Sequence, residues 1–497
     1  MKKFNVALLL SIATAVVFAS SVFADDFKFD FGAAERLREE IWDNVVDLHT
    51  NAEHQLNTDK LNSFRERNFF RFRTSLWGSL YYNENQDNNA GIYLKITNEA
   101  KEYLGSHNYR LPENLNANNG VELGHTQFAH FEEDEVFFDN LYVDYKKILG
   151  GPVDIRLGRQ ELTYGEGFLV SEGTPGDGSR SFYFNAAKAT VNITPNNSVD
   201  LVFIADPKTD IFLPSIHGAV ESNNAYLYQN HKRILNTSNE TGVVVYSKNK
   251  MGDFNVEPYY IYKSEAAFTA FTPLPTQTPR LNLNTFGARL LYDNSVWKAG
   301  AEYAHEFGKY DNGGIYPNGR NRTGNGGYAF AGYNFKEVPL KPYAELRYVY
   351  LSGDDKNTGT DESWDPLFSR QPYWSELFIY TLVQETLKYG NGIPGYWTNL
   401  NIYKASVKLN FTPDFNFTLG YQYLTAPQST NIVNLAAPYM FSNSGKDIGQ
   451  LPTTLLYYKF NKNIDGFVQW EYFMPGNFYT SDAKNASFFR WQLQFKI

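Results

Sequence analysis

From residue 27 to the end, the chain repeats one device: runs of roughly ten residues in which apolar and polar side chains alternate, separated in turn by a short connection and a long one. The last run shows it plainly. Phe489, Trp491, Leu493, Phe495 and Ile497 share one face, while Arg490, Gln492, Gln494 and Lys496 share the other. Tyr403, Ala405, Val407, Leu409 and Phe411 likewise oppose Lys404, Ser406, Lys408 and Asn410, and near the start Phe27, Phe29, Phe31, Ala33, Leu37 and Ile41 oppose Lys28, Asp30, Arg36, Arg38 and Glu40. A period of two places these sets on opposite faces of a strand. Marking every such run predicts about eighteen strands, the first over 27–43 and the last over 485–497.

The connections decide what these strands build. Asn83 to Asn88, Leu149-Gly150-Gly151, Pro195-Asn196, Lys250-Met251, Asn294, Glu337-Val338-Pro339, Thr412-Pro413 and Lys462 are short, whereas 98–135, 207–239 and 352–399 are long and polar. Strict alternation of short turns with long loops is the habit of a transmembrane antiparallel β-barrel, with periplasmic turns and extracellular loops. In hydrocarbon every backbone N–H and C=O needs an internal partner, so a sheet can span only by closing on itself. A secreted sandwich would not keep this alternation, and no repeat of about 20 to 50 residues supports a solenoid or propeller.

Composition narrows the rest. Cys is absent, which removes disulfide scaffolds and thiolate metal sites. Mean hydropathy is −0.45, and no apolar run long enough for a helical span follows the N-terminal segment. Aromatics make up 17% of the chain, against disorder, and a net charge of −9 argues against nucleic acid as a partner. Residues 1–24 read as a signal peptide, with basic Lys2 and Lys3, an apolar core from Val6 to Phe18 and the small-residue site ending at Ala24. Residues 25–497 then form one barrel in the outer membrane of a Gram-negative-type cell.

One block carries a family likeness. Val153-Asp154-Ile155-Arg156-Leu157-Gly158-Arg159-Gln160-Glu161-Leu162-Thr163-Tyr164-Gly165, followed by Arg180-Ser181-Phe182, resembles the alginate export family of outer-membrane barrels. So do the opening strand with Arg36, Arg38 and Glu40, and the stretch Ser352-Gly353-Asp354-Asp355 running to Asp365-Pro366-Leu367-Phe368. The resemblance implies an outer-membrane channel passing a polyanionic, alginate-like polysaccharide or oligosaccharide by passive diffusion, with periplasmic export partners.

The polar faces of the strands carry basic positions over acidic ones by about two to one, depending on register. The expected lumenal set is Arg36, Arg38, Arg71, Arg73, Arg156, Arg159, Arg289, Arg347, Lys404, Lys408 and Arg490. A confined positive lumen concentrates anions, and Arg grips carboxylate bidentately. The competing reading is that these residues pair with Glu40, Asp144, Asp154, Asp200, Glu257, Glu302, Glu345 and Glu471 to brace the wall. Arg159 is the awkward member, because strict alternation aims it at lipid; a bulge at Gly158 or a place near the rim would resolve this.

Other features are weaker. His125 and His130 beside Glu132–Glu135 form a candidate cation site, more simply read as a solvated loop. Asp354, Asp355 and Asp361 are weak candidates for Ca²⁺, without EF-hand spacing. Residues 379–383, in the long loop 352–399, are expected to fold inward as a constriction or lid. No HExxH or GxSxG motif supports an enzyme, and no cofactor is implied. The expected function is an anion-selective channel; the alternatives are an uptake porin for small anionic sugars or other solutes, or an adhesin or receptor acting through its loops.

Overall fold

The computed structural model describes residues 27–45, 48, 66–82, 89–104, 130–171, 184–217, 228–229, 232–233, 235–236, 238–270, 276–369, 374–377, 397–429 and 441–497. The expected signal peptide, His125 and residues 379–383 lie outside them. Among the described residues eighteen long strands follow one another: β1 (Phe27–Asp43), β2 (Glu66–Tyr82), β3 (Asn89–Tyr103), β4 (His130–Lys146), β5 (Val153–Gln160), β6 (Phe184–Thr194), β7 (Asn197–Asp206), β8 (Glu240–Met251), β9 (Phe254–Glu265), β10 (Leu281–Asp293), β11 (Trp297–Tyr310), β12 (Arg320–Asn334), β13 (Tyr343–Leu351), β14 (Leu400–Thr412), β15 (Phe415–Thr425), β16 (Asp447–Lys459), β17 (Ile464–Pro475) and β18 (Ala486–Lys496).

Each strand pairs antiparallel with the next, and β18 pairs with β1, so among the described residues the eighteen strands close on themselves. This is the closed all-β barrel that the alternation predicts. The face assignment holds as well. Phe286, Leu290, Tyr303, Leu346, Tyr403, Leu419 and Tyr421 are exposed on the outer wall, where lipid rather than water surrounds them. Aromatic pairs flank the short turns: Phe254 with Tyr292, Trp297 with Tyr333, and Phe411 with Phe415, with ring centroids 4.9, 4.7 and 5.2 Å apart. They form the periplasmic girdle, amphipathic rings set where the apolar band meets water.

The inner wall departs from a simple polar pore. Asp200 and Lys248 lie low on β7 and β8, but higher up the inward positions are Val202, Ile204, Val244, Ile261, Leu283, Val349, Ile402 and Leu424, all buried. What buries them is loop. After β5 the chain leaves the wall, bringing Leu162, Tyr164, Phe168, Leu169 and Val170 into the lumen, and after β13 Trp364, Leu367 and Phe368 do the same. Trp374, Leu377 and Trp397, from the same long connection, join this core. The two inward loops meet at a parallel bridge between Val170 and Phe368, and Phe168 stacks on Trp364 at 5.1 Å and 22°.

The wall is cut to receive them. A Cβ built on Gly326 of β12 would lie 2.6 Å from the Trp364 ring, so only glycine leaves room for the indole; Gly242 of β8 accommodates Phe368 in the same way. The wall is also mended where β5 stops short. Residues Ser215–His217 pair with Val136 and Phe137 of β4, taking the place that a longer β5 would have filled.

Candidate functional site

The inward ionic residues fall into separate groups. Around β18, β1 and β2, Glu40 is the shared anion: Arg71 approaches at 2.7 Å, Arg490 at 3.2 Å and Arg38 at 3.5 Å, all buried. Arg490 also reaches Glu376 of the long loop at 3.3 Å, Arg71 reaches Glu99 at 3.3 Å, and Arg38 donates two hydrogen bonds to Gln492. Arg36 is buried on the same face, directly opposite Arg73. Arg73 and Lys95 converge on Asp139 at 2.8 and 2.9 Å. Asp139 is the extra residue of a β-bulge, since Lys95 faces Asn140 while Ile96 faces Phe138, and the bulge turns its carboxylate inward.

A second group holds the first inward loop. Arg289 donates to Glu257 at 3.0 Å, Tyr259 and Tyr328 both donate to Glu302, and Arg347 spans Glu345 at 2.9 Å and Glu166 of the loop at 2.6 Å. Tyr164 stacks on Tyr246, which stacks on Tyr259, and the Tyr164 hydroxyl donates to Asp200. For these arginines bracing is what the geometry displays. Carboxylates already occupy their forks, and removing one partner from such a buried pair costs several kcal/mol, roughly 3–5.

Other basic groups lie along the lower and middle inner wall and are only partly covered. Arg156 is bidentate to Asp144 and stacked on Tyr142 at 3.9 Å, yet its side chain is 34% exposed. Lys188 and Lys248 share Asp200, at 3.1 and 2.9 Å, and lean toward the Tyr164 ring; Lys248 stays 45% exposed. Lys404 stands beside Arg347 in register and Lys408 beside Tyr343, and neither has a hydrogen bond or ion pair among the described residues. Lys188, Lys248 and Lys95 were not singled out in the sequence, though Lys188 is readable as the polar face of Ala187, Ala189 and Val191.

Arg159 resolves differently from the rest of the expected set. The ladder on both sides of Gly158 is continuous, without a bulge. Gly158 instead adopts φ +127, which no side chain tolerates comfortably, and Arg159 beyond it is buried. Its guanidinium is clamped by Asp210 and donates to the Phe138 carbonyl at 3.0 Å and to Asn185 at 3.3 Å. It ties the mending segment 207–217 to the wall.

The acidic loop is likewise tied by arginine. Arg320 holds Asp354 at 2.9 Å, Arg322 reaches Asp361 at 3.3 Å and Asp365 at 3.5 Å, and Asp355 caps the turn at Asn357. Burial and neighbouring Asp361 push the Asp354 carboxyl above its ordinary value against the pull of Arg320. These contacts join the outer end of β12 to the loop that carries Trp364.

The sequence matches the family model described as alginate export over residues 228–492. No curated protein matches it by sequence. Among solved structures, Acinetobacter baumannii OccAB4 superposes with a TM-score of 0.53 at 9% identity, covering 95% of this chain and 98% of that one. Pseudomonas aeruginosa OccK8 (OprE) gives 0.51 at 10% identity with 95% and 98% covered. P. aeruginosa OccK2 (OpdF), solved in complex with glucuronate, gives 0.51 at 8% identity, also with 95% and 98% covered.

Proposed function

Because the chain belongs to the alginate export family and is an outer-membrane porin barrel, we propose that it is a passive, anion-selective channel for uronate-type sugars, limited in size by its inward loops. The observation that carries this reading is the row of basic groups on the inner wall, Arg156, Lys188, Lys248, Lys404 and Lys408, beneath an apolar constriction, with Arg156 and Lys248 the most exposed to the lumen. An ammonium in a narrow low-dielectric passage attracts a carboxylate without a fixed fork, and several weak sites in series let the anion leave again. The solved complex of OccK2 (OpdF) with glucuronate is consistent with a sugar acid of this kind.

Passage of a whole polyanionic polysaccharide, handed over by periplasmic partners, is the second reading. The family's description supports it; the packed loops weigh against it, since Trp364 and Phe168 occupy the width a polymer would need. Reversal potentials in planar bilayers under a salt gradient test both. Anion preference with block by glucuronate, weakened by Lys404→Gln with Lys248→Gln, supports the channel proposed here. Cation preference would sink it, and block by long oligouronates alone would favour the polymer.

A further inference from the structure

The outer wall carries a second patterned feature, unrelated to the lumen. At the loop end of neighbouring strands, tyrosine hydroxyls donate to amide oxygens on the next strand: Tyr260 to Asn284 (2.8 Å), Tyr262 to Asn282 (3.0 Å), Tyr303 to Asn325 (2.7 Å), Tyr348 to Asn401 (2.8 Å) and Tyr421 to Gln450 (2.7 Å). Ser264 adds a second hydrogen bond to the Asn282 oxygen at 2.9 Å, and His305 Nδ1 lies 2.9 Å from the Asn325 oxygen. With each amide oxygen engaged, what the amide has left is its N–H₂ group; one N–H of Asn284 already goes to the Phe307 carbonyl at 3.5 Å and one of Asn401 to the Thr425 hydroxyl at 3.2 Å, which leaves each a second N–H to donate.

In the same sector Lys309 of β11 faces outward, flanked in register by Asn282 of β10 and Asn321 of β12. Lys309 and Asn321 are exposed, and neither side chain has a hydrogen bond or ion pair among the described residues. Between Trp297 in the periplasmic girdle and Lys309 the tilted strand climbs about 30 Å, just past an apolar band about 25 Å tall. Below Lys309 on the outer face lie Phe307 and Phe286, 6.1 Å apart and both exposed. A cation with amide donors on either side, above an aromatic surface and at headgroup depth, fits an acceptor-only anion whose own acyl chains run down the wall.

We propose that this sector, centred on Lys309 with Asn282 and Asn321, binds the phosphate of a phosphorylated glycolipid of the outer leaflet. Glycan hydroxyls of the same headgroup pair with the amides of Asn284, Asn325 and Asn401 along the rim. The donor-only chemistry selects phosphate over cationic or zwitterionic headgroups, and the position at the loop end selects the outer leaflet.

The test uses the full barrel in non-ionic detergent, titrated with bisphosphorylated lipid A, with its dephosphorylated form and with phosphatidylglycerol, and read by native mass spectrometry. Lys309→Gln is expected to weaken bisphosphorylated lipid A about fivefold, the worth of one cation at an anionic surface, and to leave the dephosphorylated form unchanged. Lys336→Gln, on a periplasmic turn where the ammonium donates to Ser295 at 2.9 Å, is expected to change neither. Equal affinities for wild type and Lys309→Gln would overturn the proposal, as would phosphatidylglycerol binding as tightly as lipid A. Should Lys309→Gln fail to fold, as judged by its heat-resistant migration on gels, wild-type affinity decides: a value insensitive to salt overturns the assignment, and a steep fall with salt supports it.

Discussion

Trp364 offers the sharpest way to ask whether the inward loops govern the pore. Its side chain is 1% exposed, it stacks on Phe168, and it lies on the floor left by Gly326. Trp364→Ala deletes that packing and leaves a cavity between two loops whose remaining ties to the wall are polar, among them Glu166 with Arg347 and Asp361 and Asp365 with Arg322. Burial losses of this kind cost about 3–5 kcal/mol, and the barrel strands share none of it. The cost therefore falls on loop docking, raising the population of undocked loops by two to three orders of magnitude or more, at about 1.4 kcal/mol per tenfold. Single-channel recording should then show a larger and noisier conductance, and liposome swelling should admit larger sugars. Gly326→Val should reproduce the phenotype from the wall side, by filling the space of the indole. Unchanged conductance, size limit and amide exchange of 161–171 in a folded Trp364→Ala barrel would refute the argument.

Four further outcomes are expected. Glu40→Gln removes the anion shared by Arg38, Arg71 and Arg490, which should cost about 3–5 kcal/mol and lower the urea midpoint of barrel unfolding; an unshifted midpoint would show the cluster to be slack. Asp210→Asn should free Arg159 and raise amide exchange across 207–217 without changing lumenal selectivity, whereas a selectivity change would return Arg159 to the lumen. Lys404→Gln should lower anion preference more than Arg289→Gln, because Arg289 is already neutralised by Glu257; the reversal potential separates them. Asp354 has its carboxyl raised above the ordinary value by burial and Asp361, against the pull of Arg320, so the fold favours its neutral form more than the unfolded chain does. The stability it contributes is then present at low pH and lost as pH rises through its folded value. Amide exchange of 355–363, corrected for intrinsic rates, should be slower near pH 4 than at pH 7, and flat with pH in Asp354→Asn.

The strands and their two faces were legible because period two is a local property: Phe489, Trp491 and Leu493 turn outward and Arg490 and Gln492 inward, as the alternation requires. The filled lumen was less legible, although a signal was present. Leu201-Val202-Phe203-Ile204 and Val243-Val244-Val245 are continuous apolar runs, and a strand apolar on both faces is buried on both faces. In a barrel this means lipid outside and packed chain inside. The inward loops themselves carry no such period, so Tyr164, Phe168 and Trp364 could not be placed before the glycines that receive them were seen opposite. Whether an individual arginine braces the wall or faces the passage with an open fork is not legible locally, because it depends on carboxylates that are distant in sequence, such as Glu166 for Arg347. Asp210, the partner of Arg159, lies in a loop that alternation does not address.

The ion cluster at the seam between the first and last strands has a consequence for how the cylinder closes. A slip of one residue would turn every side chain of β18 to the wrong face and be rejected by the lipid. A slip of two would not, because the alternation is blind to even shifts. In the native register Glu40 faces Arg490 and Arg38 faces Gln492; shifted by two, Arg490 would face either Arg38 or Trp42, and Glu40 would face Gln492 or Phe488. The charges therefore proofread what hydrophobicity cannot, and the final zipping of the chain is checked by its polar interior rather than by its surface.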